Sequence, residues 1–136
     1  MSIAVIAGLG NPGVEYIRSR HNLGFWLVDA LARESGASWR PEPKFQADVA
    51  RAEIAGRTLW LLKPLAYMNE SGVAAGAFLH FHKLHENALA AVYDDITLPL
   101  GRMKVTVRGS AGGHNGVASL LAHVGGNFVR VKLGIA

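Results

Sequence analysis

Cysteine is absent from the 136 residues. That excludes disulfides, a thiolate nucleophile and any Cys-ligated metal. A cytoplasmic home is the simple expectation, because disulfide-stapled folds belong to oxidising compartments. No apolar run approaches the length needed to cross a bilayer, so no membrane association is expected. The N-terminus lacks a basic lead-in, and its apolar stretch ends in Asn11-Pro12-Gly13 without a small-residue cleavage site, so no signal peptide is expected either. Repeats and low-complexity segments are missing. A serine nucleophile has no elbow to sit on, since Arg108 stands two before Ser110 where glycine is required. His80, His82 and His85 crowd one segment, but helical residues two apart do not share a face and no matched carboxylate pair accompanies them. A solvated helix end is therefore expected there, with no metal. Without Cys or such a Ser, water is the expected nucleophile.

What is present suits one domain with a filled core: 50% of residues are hydrophobic and 18% charged. The net charge of +4 favours an acidic partner such as nucleic acid, and equally fits a soluble enzyme with surplus surface Lys and Arg. The run Ile3-Ala4-Val5-Ile6-Ala7 reads as a strand covered on both faces, leading into a turn of glycine, asparagine and proline. His21 to Glu34 reads as a helix with Leu23, Leu27, Ala30 and Leu31 inward and Gly36 at its stop. Trp39 to Lys44, with two prolines, reads as a loop. Gln46 to Ile54 and Thr58 to Lys63 predict a hairpin around Ala55-Gly56-Arg57. A loop over residues 65–72 then leads to a helix with Val73, Ala74, Ala77, Phe78 and Phe81 on its apolar face and Asn69 or Ser71 as N-cap. Ala88 to Tyr93 is a second buried strand, ending in Asp94-Asp95, and Leu98 to Gly101 a turn. Arg102 to Arg108 alternates as a half-exposed strand. After a glycine-rich loop, His114-Asn115-Gly116 opens a helix with Val117, Leu120, Leu121 and Val124 inward, and Phe128 to Ile135 is a last strand. The fold class is α/β, a single domain with a twisted mixed sheet flanked by helices.

Gly8-x-Gly10-x-x-Gly13 matches the dinucleotide fingerprint literally, but the expected helix starts only near His21 and no acidic residue ends a second strand at the right distance. A tight strand-to-loop turn is the better reading, and no cofactor is expected. His21 has a near-neutral reference pKa and suits a general base. Asp94 suits a carboxylate that orients it. Asn11, Asn69 and Asn115 bring neutral donors and acceptors from three further loops, able to hold a water and a carbonyl oxygen. Each residue alone is as easily a cap or turn residue; together they form a candidate hydrolytic set. Arg102, Lys104 and Arg108, on one face of the alternating strand, are candidates for phosphate contacts, against the plainer reading of a solvated face.

Four segments also share a resemblance. Gly8-Leu9-Gly10-Asn11-Pro12-Gly13 with Tyr16 and Arg20-His21-Asn22, Lys63-Pro64 with Tyr67-Met68-Asn69-Glu70-Ser71-Gly72, Asp94-Asp95 with Leu98-Pro99 and Gly101, and Gly112-Gly113-His114-Asn115-Gly116 stand in the order of bacterial-type peptidyl-tRNA hydrolases. Phe128-x-Arg130 to Gly134-Ile135 is similar to the family's last strand. The resemblance implies metal-free and cofactor-free hydrolysis of the ester between a peptide and the terminal ribose of its tRNA, by a cytoplasmic monomer. It implies that His21 activates water, Asp94 holds His21, Asn69 and Asn115 position base, water and substrate, and Asn11 contacts the ester. Tyr16, Tyr67 and Met68 would line the substrate cleft. Ser19 and Ala66 stand where the family has Thr, Asp95 where it has Glu, and Thr97 where it has Asp. An RNA-binding module of the same fold without catalysis is the alternative. The chain stops in strand-like sequence at residue 136, so residues 1–136 are expected to form a domain lacking the family's C-terminal helical segment.

Overall fold

The computed structural model describes residues 2–11, 22–65 and 67–135. In chain order its elements are β1 (Val5–Gly8), α1 (Leu23–Ser35), β2 (Arg40–Glu42), β3 (Ala47–Ile54), β4 (Arg57–Pro64), α2 (Ser71–Phe81), β5 (Leu89–Asp95), β6 (Met103–Thr106), α3 (Asn115–His123) and β7 (Val129–Gly134). They build one seven-stranded sheet in the order β2-β3-β4-β1-β5-β7-β6. β4, β1, β5 and β7 run parallel, while β2, β3 and β6 are antiparallel to their neighbours. The α/β fold with a mixed sheet expected from the sequence is the fold found.

Alternation explains the layers. Val5 and Ala7 of β1 point into the core beneath α2 and α3, with Leu62, Leu89, Ala91 and Tyr93. Ile6 points the other way, to a smaller cluster of Ala32, Ala50, Ala52 and Leu61 under α1. A central parallel strand is covered on both faces, so it has no polar position to show. Each fully buried Val or Leu there contributes about 1.5–3 kcal/mol.

α1 is rotated from the expected stripe. Its buried residues are Gly24, Phe25, Val28 and Ala32, whereas Leu23, Leu27, Ala30 and Leu31 are only partly covered. The cause is a backbone-to-backbone approach. A Cβ on Gly24 would lie 2.4 Å from the Val92 carbonyl, and one on Gly8 would lie 2.2 Å from that of Gly24. The helix turns its glycine to the sheet because no other residue fits. The stop is as expected: Gly36 ends α1 in the left-handed conformation at φ 71°.

The hairpin turns on Ala55 and Gly56 alone, both at positive φ, the signature of a type I′ turn. Residues 40–42, expected as loop, form an edge strand despite Pro41, which an edge tolerates because the proline need not donate to a neighbour. α2 buries Ser71, Gly72, Ala74, Ala75, Phe78 and Leu79, and leaves Val73 and Phe81 exposed. It packs on α3 as well as on the sheet, so one stripe does not describe it. Neither Asn69 nor Ser71 caps it: the Ser71 hydroxyl donates to the Met68 carbonyl, and the Gly72 N–H is received by Ser119 Oγ of α3 at 2.8 Å. β6 is shorter than expected, and Met103 and Val105 are exposed as well as Lys104. It is the outermost strand, and the helices pack over β1, β3, β4 and β5.

Candidate active site

β1 lies between β4 and β5, so the chain leaves it towards one side of the sheet and later returns on the other. Ligands of open α/β sheets bind beyond the carboxyl ends of strands at such a reversal. A cavity of about 640 Å³ opens there, lined by Asn11 after β1, Met68 before α2, Tyr93 to Thr97 at the end of β5, Lys132, and the loop from Gly109 to Asn115.

Asn11 is held from three directions. Its N–H donates to Asn22 Oδ1 at 2.8 Å, and its carbonyl accepts from Asn22 Nδ2 at 3.0 Å. Its own side-chain oxygen accepts the Met68 N–H at 2.6 Å. The amide orientation is thereby assigned, with Nδ2 as the donor left to a ligand. Asn22 is buried and stands at the N-cap of α1, yet makes no capping bond. An asparagine cap is worth about 1 kcal/mol to a helix.

Asp94 is 3% exposed, and its Oδ1 lies 2.8 Å from His114 Nε2. His114 is the N-cap of α3, and its Nδ1 accepts from the N–H groups of Gly116 and Val117. A nitrogen that accepts carries no proton, so Nε2 bears it and donates to the carboxylate. The end of β5 and the start of α3 are thus joined through one imidazole. Sequence reasoning placed His114 only in a motif; its partnership with Asp94 spans β5 and α3 and has no local signature. The carboxylate accepts more than one bond, so His114 does not exclude a second partner.

The cavity floor is electrostatically mixed. Burial pushes the Asp95 carboxyl up, but bonds from the Thr97 hydroxyl and N–H, with Lys132 nearby, outweigh it and hold it below the ordinary range. Asp95 is therefore ionised. Burial pushes the Tyr93 phenol up against the pull of Arg130, so it stays protonated. Lys132, which sequence reasoning passed over, lies beside Lys104 in the strand register and lines the cavity.

Of the expected site residues, Asn11, Met68, Asp94 and Asn115 meet at this cavity. Asn69 and Tyr67 are exposed on the neighbouring segment and are not among its lining residues. His21 and Tyr16 lie outside the described residues. Arg102 and Arg108 fall beyond the ends of β6, so with Lys104 they form an exposed basic run and not one strand face. The expectation of no metal at His80, His82 and His85 concerns a helix end where Phe45, Trp60 and Phe78 pack against the His82 ring.

The sequence pattern of the family described as peptidyl-tRNA hydrolase matches residues 5–136. A peptidyl-tRNA hydrolase of Neisseria meningitidis serogroup C is 43% identical over 135 residues, which cover 98% of this chain and 70% of that protein. Among solved structures, the peptidyl-tRNA hydrolase of Acinetobacter baumannii superposes with a TM-score of 0.95 at 39% identity, over 98% of this chain and 68% of that one. A peptidyl-tRNA hydrolase in complex with N-propanol gives the same score, identity and coverage. Agreement in fold, sequence and the order of the cavity-lining segments has one explanation: the chain belongs to the peptidyl-tRNA hydrolase family.

Proposed function

We propose that this protein hydrolyses the ester joining peptide to tRNA in peptidyl-tRNA, releasing free peptide and tRNA, and acts as a cytoplasmic monomer. The observation that carries the reading is the convergence of Asn11, Asp94 and Asn115 from three separate elements on one open cavity, in a chain of this family. In the proposed reaction His21 takes a proton from water as the water attacks the ester carbonyl carbon. Asp94 stabilises the imidazolium so formed. Asn11 Nδ2 donates to the oxyanion, and Asn69 and Asn115 hold the water and the terminal nucleoside. The proton then passes from His21 to the departing ribose oxygen. Tyr16, Tyr67 and Met68 bound the peptide side, and Arg102, Lys104 and Arg108 contact tRNA phosphates. The catalytically inactive RNA-binding alternative is not supported, since the relatives and solved structures it would have to resemble are named as hydrolases.

Release of peptide from a peptidyl-tRNA, measured without added metal, tests the reading. His21→Ala is expected to lower kcat by about 10²–10⁴-fold, and Asp94→Asn by less, because Asp94 orients the base and makes no bond to substrate. Full activity in His21→Ala sinks the assigned mechanism; an equal or greater loss in Asp94→Asn sinks the division of labour.

A further inference from the structure

Asn22 departs from the local rule for its position. An asparagine at a helix N-cap ordinarily accepts from the second or third helical N–H. This one sits at φ −100° and ψ 15°, off the extended conformation from which a side chain caps, and both groups of its buried amide go to Asn11. The pair of bonds runs in opposite senses, so it fixes Asn11 from both sides of the residue, which one bond cannot do. The anchor is rigid, because Gly24 two residues on is pressed against Leu9 and the Val92 carbonyl. Asn11 Oδ1 is in turn taken by the Met68 N–H. Helix capping is forgone where the cavity wall is set, and departures of this kind gather at functional sites.

We propose that Asn22 is a positioning residue for the reaction: it aims the Asn11 amide into the cavity. The inference rests on the hydrolase reading above.

Two variants separate this role from a structural one. Serine caps a helix as well as asparagine does, but its single hydroxyl is too short to hold both Asn11 groups. Asn22→Ser leaves the Asn11 N–H without its acceptor, so a lower thermal midpoint is expected; assayed well below that midpoint, on folded enzyme, kcat should fall about 10–100-fold, the scale of a small misplacement of reacting groups. KM should stay within about twofold, since ground-state binding is untouched. Asn22→Asp retains the acceptor for the Asn11 N–H and sets a carboxylate oxygen against the Asn11 carbonyl; it too should lose kcat and not KM. Amide exchange at Asn11, read by NMR, should quicken in Asn22→Ser. If Asn22→Ser fails to fold, Asn22→Asp decides. Variants that are folded and as fast as an active wild type overturn the proposal alone. An inactive wild type overturns the hydrolase reading and this proposal together.

Discussion

His82 shows how one side chain couples fold to pH. It closes α2 among Phe45, Trp60, Phe78 and Phe81, with ring centroids between 4.3 and 6.2 Å away. Burial, and then the Lys44 ammonium, hold its imidazole below the usual range. The folded state thus binds a proton less readily than the unfolded chain, where the pKa is about 6.5. Stability from this group is complete above that value and is lost as pH falls towards the folded pKa. Denaturant titrations between pH 7.5 and 5, as about the range that spans the window, should show a shallower decline for His82→Phe than for wild type; equal slopes would refute the account. The same residue marks what local pattern misses. His80, His82 and His85 read as a solvated helix end, and the ring stack over His82 exists only because β4 and the turn before β3 bring Trp60 and Phe45 to it.

Helices α2 and α3 show the same limit at the scale of elements. Periodicity found both helices, and α3 nearly with its correct face, because Val117 and Leu120 meet a single surface. α2 meets two. Gly72 and Gly76 lie against the carbonyls of Ser119 and His123, and Ser119 Oγ accepts the Gly72 N–H that the start of α2 leaves over. The cap is supplied by another helix, so no spacing within residues 69–72 could reveal it. Ser119→Ala strands a buried donor and should cost about 1–3 kcal/mol of unfolding free energy. A loss within error would show that water or another acceptor serves α2 equally well.

For the whole molecule, net charge bears on the proposed contact with tRNA phosphates. The chain carries a net +4, and Arg102, Lys104 and Arg108 form an exposed run beside Lys132 at the cavity. Three neutralised phosphates would make tRNA affinity fall ~40-fold as salt rises from ~50 to ~200 mM. Replacing all three residues by Gln should flatten the log–log slope by about 2.7, and an unchanged slope would remove them from the interface. Among the described residues no helix is long and apolar enough to cross a membrane. Composition, strand and helix periods and the glycine-marked turns by themselves determined the fold class, the buried parallel strands and the element ends near which Asn11, Asp94 and Asn115 stand, because those features depend on neighbours in sequence. Only tertiary structure decided that Asp94 meets His114, that Asn22 turns from its own helix to clasp Asn11, and which face α1 buries. Those choices arise from backbones approaching across the sheet, at distances that no stretch of chain encodes alone.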